Sequence, residues 1–119
     1  VPTITVDRVI AADPTSVALL LGGPALDLCP PRLHVRALPP RRLPTSYVTR
    51  FSAAGAGLPA TDGTVTLTRH ASYVVAAATL ATITLTYEPS ARAAAPLRAL
   101  AAGFLADLAA AAEERSSAA

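Results

Sequence analysis

The sequence predicts an α+β fold: an antiparallel sheet of about six strands with one face covered by a long C-terminal helix, and one or two short helices after the first strand. Three observations predict it. Several segments before Pro89 alternate apolar and polar residues, the pattern of strands with one wet face. After Pro89 the apolar residues recur at spacings of three and four, the period of a helix. Between the first strand and the rest, an Asp-Pro pair opens a short apolar segment that ends at two glycines, which marks one short helix and leaves room for a second.

The elements follow in order. Residues 3–10 set Ile4, Val6 and Ile10, with Arg8 among them, against Thr3, Thr5, Asp7 and Val9, a strand with one mostly apolar face. Asp13 is an N-cap and Pro14 the first helical residue, so the strand runs almost directly into a helix over residues 14–21. Gly22-Gly23-Pro24 stops it, and residues 24–28 form a further short helical turn before Cys29-Pro30-Pro31. Residues 32–38 alternate Leu33, Val35 and Ala37 with Arg32, His34 and Arg36, a half-exposed strand. Residues 39–44, with three prolines, read as a connector outside the sheet, because proline lacks the ladder N–H.

Residues 45–51 resume as a strand that sets Tyr47, Thr49 and Phe51 opposite Val48 and Arg50. Residues 53–63, rich in glycine and closed by Asp62-Gly63, read as a long loop. Residues 64–69 form a strand with Val65 and Leu67 inward and threonines outward, and residues 80–87 another with Thr82, Thr84 and Thr86 opposite Ala81, Ile83, Leu85 and Tyr87. The stretch between them, residues 70–79, holds no tight-turn residue; 73–75 extend one strand and a hairpin is the simplest connection. Residues 91–115 form one helix whose stripe is Leu97, Leu100, Phe104, Leu108 and Ala111, widened by Leu105, with Phe104 in the core. Residues 116–119 are expected to fray.

The chain has 119 residues, the size of a single domain spanning 1–119, and is 52% hydrophobic and 15% charged, which excludes intrinsic disorder. All 10 basic residues are arginines and the net charge is +2, too small to imply a nucleic-acid binder. No acid falls between Asp27 and Asp62, and Arg32, Arg36, Arg41, Arg42 and Arg50 lie inside that gap. Such a cluster would suit phosphates or an acidic carrier protein, although a solvated strand face explains it as well. A single cysteine, Cys29, allows neither an internal disulfide nor a multi-cysteine metal site, and no local base would activate it as a nucleophile. No basic-then-apolar leader and no apolar run of about 18–20 residues is present, and the 73–85 run is broken by threonine, so a cytoplasmic chain without a membrane span is expected.

Ile10-Ala11-Ala12-Asp13-Pro14 leading into Ser16-Val17-Ala18-Leu19-Leu20-Leu21 resembles the opening of START-like proteins, the SRPBCC or polyketide cyclase/dehydrase-like superfamily. The ending is similar too: Thr82 to Pro89, then Leu97-Arg98-Ala99-Leu100 and Phe104-Leu105-Ala106-Asp107-Leu108. The resemblance implies the helix-grip fold, a curved antiparallel sheet wrapped around the long C-terminal helix, with a cavity between them for an apolar small molecule such as a lipid, isoprenoid or polyketide-like compound. It also implies, for an enzymatic member, cyclisation or dehydration of a bound polyketide without a cofactor. Full-length members carry seven strands where six are placed here.

Candidate ligand-binding residues follow from parity and from position in that fold. Arg8 and Arg69 occupy apolar-parity places in their strands, and a guanidinium there would meet a carbonyl or anionic oxygen unless it snorkels to solvent. Tyr47, Tyr73 and Tyr87 carry hydroxyls that would orient a ligand or serve as core residues with edge partners. His70, at a strand end, is a candidate at the cavity mouth, while His34 sits between arginines on a polar face. Val17, Leu100 and Phe104 would supply the apolar wall. Two isolated histidines without an acid pair do not make a zinc site, and no phosphate loop or nucleophile elbow is present. Two functions compete: small-molecule binding, or a non-catalytic interaction module with a filled interior. A homodimer is compatible with both.

Overall fold

A computed structural model describes residues 3–21, 33–55, 58–70, 78–88 and 94–118. They form a six-stranded antiparallel sheet, a short helix after the first strand and a long C-terminal helix. The strands are β1 (Thr3–Ile10), β2 (Leu33–Ala37), β3 (Arg41–Arg42), β4 (Ser46–Gly55), β5 (Leu58–His70) and β6 (Ala78–Tyr87). The helices are α1 (Pro14–Leu21) and α2 (Ala94–Ala118). Sheet order is β1-β6-β5-β4-β2, with β3 also paired to β4. The last strand in sequence therefore lies inside the sheet; β1 forms one edge, and β2 and β3 share the other.

Register fixes which side chains share a face, because directly opposed residues of an antiparallel pair point the same way. Tyr47 opposes Leu67 and Leu67 opposes Ala81; Thr49, Val65, Ile83 and Val6 make the next row. Phe51, Gly63, Leu85 and Ile4 make a third. This inner face carries the buried core strand residues Ile4, Ile10, Val65, Leu67, Ala81, Ile83 and Leu85. The opposite face carries Thr3, Thr5, Thr64, Thr66, Thr68, Thr82, Thr84 and Thr86, each exposed or half-exposed. β-Branched threonine suits an extended backbone, and its hydroxyl tolerates water.

Both helices cover the inner face. α2 runs closest to β1, and α1 reaches β4, β5, β6 and α2. Asp13 caps α1 as expected: its Oδ1 accepts from the Ser16 N–H at 2.7 Å, and its carbonyl accepts from the Val17 N–H at 3.2 Å. The buried Thr79 hydroxyl donates to the Ala12 carbonyl at 2.7 Å and ties the start of β6 to the β1–α1 junction.

Five sequence expectations change. The loop assigned to residues 53–63 is instead a hairpin: β4 runs to Gly55, which pairs with Leu58, and Asp62 and Gly63 lie within β5. Gly55 has φ 109°, a conformation that favours glycine, so the glycine marks a strand end and not a loop. Arg41 and Arg42, inside the proline-rich connector, pair with Val48 and Tyr47 as a two-residue strand; the flanking prolines keep it that short. On α2 the fully buried line is Leu97, Ala101, Leu105, Leu108 and Ala112, and Phe104, Leu100 and Ala111 flank it half-buried. The stripe is rotated because small alanines let the helix approach the sheet closely along Ala101, Ala109 and Ala112. α2 also continues through Ser116 and Ser117 to Ala118. By length and composition alone Ala94–Glu114 would also be long and apolar enough to cross a membrane, although scattered charges interrupt its apolar run. Leu97, Leu105 and Leu108 of this helix are buried in the core against the sheet. The turn at residues 24–28, Cys29 and residues 73–75 lie outside the described residues.

Two substitutions test this packing by urea denaturation. Leu108→Ala, at a side chain with no exposure, should cost about 2–5 kcal/mol. Phe104→Ala should cost less than Leu108→Ala, because part of its ring already meets water. Equal losses would place Phe104 at the core centre.

Candidate functional site

The β4 half of the inner face departs from a plain apolar core. Tyr47, Thr49 and Phe51 alternate along β4 and point inward together. Tyr47 and Phe51 are half-buried and pack against the core, as do Tyr87 and Phe104. Thr49 between them is 3% exposed, and its Oγ1 is buried with no hydrogen-bond partner.

Among the described residues the buried polar side chains are Thr49, Thr61 and Thr79. Thr61 donates to the Pro59 carbonyl at 2.9 Å and Thr79 to the Ala12 carbonyl. Thr49 alone of these three is unsatisfied. It shares its row with Val65, Ile83 and Val6, so an aliphatic β-branched residue is what the packing alone would favour. A buried hydroxyl without a partner costs about 1–3 kcal/mol.

The flanking aromatics have separate supports. The Tyr47 hydroxyl is hydrogen-bonded to Thr15 Oγ1 at 3.0 Å, which holds the first turn of α1 over β4. The Phe51 ring lies over Gly63: a Cβ at that glycine would fall 2.3 Å from the ring. Gly63 is therefore the floor on which Phe51 rests, and a larger residue would drive the ring off the inner face.

The sequence candidates separate accordingly. Tyr47, Tyr87, Leu100 and Phe104 are half-buried, and Val17 is fully buried in the core. Arg8 and Arg69 keep inward parity in their rows, opposite Ala81 and Thr79, yet both are exposed. Arg8 lies on an edge strand and Arg69 near a strand end, so each long side chain reaches water instead of placing an unpaired charge in the interior. His70 pairs with Ala78 and shares the parity of the threonines, on the face away from Thr49. Of the arginine cluster, Arg36, Arg41 and Arg50 are exposed on that same outer face, Arg42 opposite Tyr47 is exposed on the inner side, and Arg32 lies outside the described residues; His34 is exposed as well. Tyr73 and Asp27 lie outside the described residues. The sequence reading missed Thr49, although its parity with Tyr47 and Phe51 was visible.

No family model and no curated protein matches the chain. The fold is similar to that of protein CV1439 from Chromobacterium violaceum: TM-score 0.56, 18% identity, covering 93% of this chain and 97% of that one. TTHA0849 from Thermus thermophilus is a further match at TM-score 0.45 and 18% identity, covering 98% of each chain. The likeness to CV1439 establishes the α+β fold with its six-stranded sheet and C-terminal helix.

Two further substitutions probe the site. Thr49→Val should raise stability by about 1 kcal/mol, read as a higher urea midpoint, whereas Thr79→Val should lower it by a similar amount. Gly63→Ala should destabilise by about 1–3 kcal/mol through the Phe51 clash, and Phe51→Ala in the same chain should recover part of that loss. Additive losses would mean that the ring does not rest on Gly63.

Proposed function

We propose that this chain is a START-like binder of an apolar small molecule, held between the inner face of the sheet and α2. The single observation that carries the reading is the buried, unpartnered hydroxyl of Thr49, set between half-buried aromatic residues in an otherwise aliphatic wall. The resemblance of the two chain ends to START-like proteins supports a site in the same position, and the fold is compatible with it. Binding is favoured over catalysis because the charged side chains of the described residues stay out of the buried set, and the Tyr47 hydroxyl already has Thr15 as a partner.

Two measurements test it. Native mass spectrometry of purified protein should show a small molecule retained by the folded chain. Titration with the neutral fluorophore N-phenyl-1-naphthylamine should give saturable enhancement at one probe per chain, competed by whatever molecule co-purifies. Neither retention nor saturable enhancement would favour the filled-interior interaction module instead.

A further inference from the structure

We infer that the molecule bound at this site is uncharged and carries a hydroxyl or carbonyl oxygen that hydrogen-bonds to Thr49 Oγ1, the rest of its surface being hydrocarbon. The inference rests on the binder reading and names the class of ligand.

Polarity comes first. Thr61 and Thr79 donate their hydroxyl hydrogens to backbone carbonyls, so of the three buried polar side chains only Thr49 has a free donor to offer. A threonine hydroxyl is one donor and two acceptor lone pairs, which matches a carbonyl or an alcohol. One wall hydroxyl among Val65, Ile83, Val6 and the half-buried rings of Tyr47 and Phe51 calls for a ligand with a single polar group near β4.

Charge comes second. An ionised ligand group next to Thr49 would need a counter-charge, since an unpaired ion in an apolar interior is far costlier than an unpaired hydroxyl. The three arginines whose parity faces inward, Arg8, Arg42 and Arg69, are all exposed. Among the described residues no Asp, Glu, Arg or His is buried. A carboxylate is thus disfavoured where a hydroxyl or ketone is accommodated.

Three probes on one skeleton separate these contributions: naphthalene, 2-naphthol and 2-naphthoate, titrated by fluorescence into the full chain at neutral pH. Wild type should bind 2-naphthol several-fold more tightly than naphthalene, and 2-naphthoate at least about tenfold more weakly than 2-naphthol. Thr49→Val should erase the preference for 2-naphthol while keeping naphthalene affinity, and Thr49→Ser, which restores a hydroxyl, should bring it back. Circular dichroism melts check that both variants fold. Tight 2-naphthoate binding would overturn the neutral-ligand inference and leave the binder reading standing. A 2-naphthol preference that survives in Thr49→Val would remove Thr49 as the anchor and point to a resident water as its partner. Failure of all three probes and of N-phenyl-1-naphthylamine to bind wild type would overturn the binder reading itself.

Discussion

The alternation of β5 and β6 is the constraint on which the rest of the structure depends. Val65 and Leu67 on one strand, and Ala81, Ile83 and Leu85 on the other, face inward; the residues between them are mostly threonines and face out. A one-residue slip between the two strands would put threonines under the helices and leucines in water. Since β6 is flanked by β1 and β5, the same slip would carry β1 with it or break its pairing. Register, the face that α2 covers and the location of the site all follow from that single period.

The helices then settle where the inner face is closed and where it carries aromatic residues. α2 follows β1, where alanines on its inward side permit close approach. α1 is held by three polar contacts: the Asp13 cap, the bond from Thr79 to Ala12 and the bond between Thr15 and Tyr47. The latter two are short-range chemistry fixing a long-range arrangement, because Thr79 and Tyr47 come from strands far from α1 in sequence. The half-buried rings of Tyr47 and Phe51 sit on β4, on the other side of the central strands from β1.

Much of this architecture was legible in the residues. Strict alternation in residues 80–87, the Asp13-Pro14 start and the three–four spacing after Pro89 each reported a local preference that the fold keeps. The misreadings at residues 39–63 share one cause: glycine and proline report local backbone freedom and say nothing of what lies across the sheet. Gly63 looked like a turn but accommodates Phe51, twelve residues earlier in the chain and directly opposite in register. Parity placed Arg8 and Arg69 correctly on the inner face, but parity cannot show whether a long side chain finds an exit at an edge. Phe104 and Leu105 are adjacent in sequence, and only the seating of α2 on β1 decides that Leu105 takes the centre.

Thr49 is the position where stability and the proposed role pull against each other. Net folding stability is about 5–15 kcal/mol, so an unsatisfied hydroxyl costing about 1–3 kcal/mol is a sizeable fraction of it. Valine would fill nearly the same volume in a row that already holds Val65, Ile83 and Val6, with no polar atom to satisfy. The cost is offset only in a state where the hydroxyl is paired. A molecule that pairs with it and binds the folded chain alone stabilises that chain in proportion to the logarithm of its concentration over its dissociation constant. On the proposed reading the hydroxyl lowers the stability of the chain alone and adds to the stabilisation that a bound partner molecule would bring, where packing alone would choose an aliphatic residue.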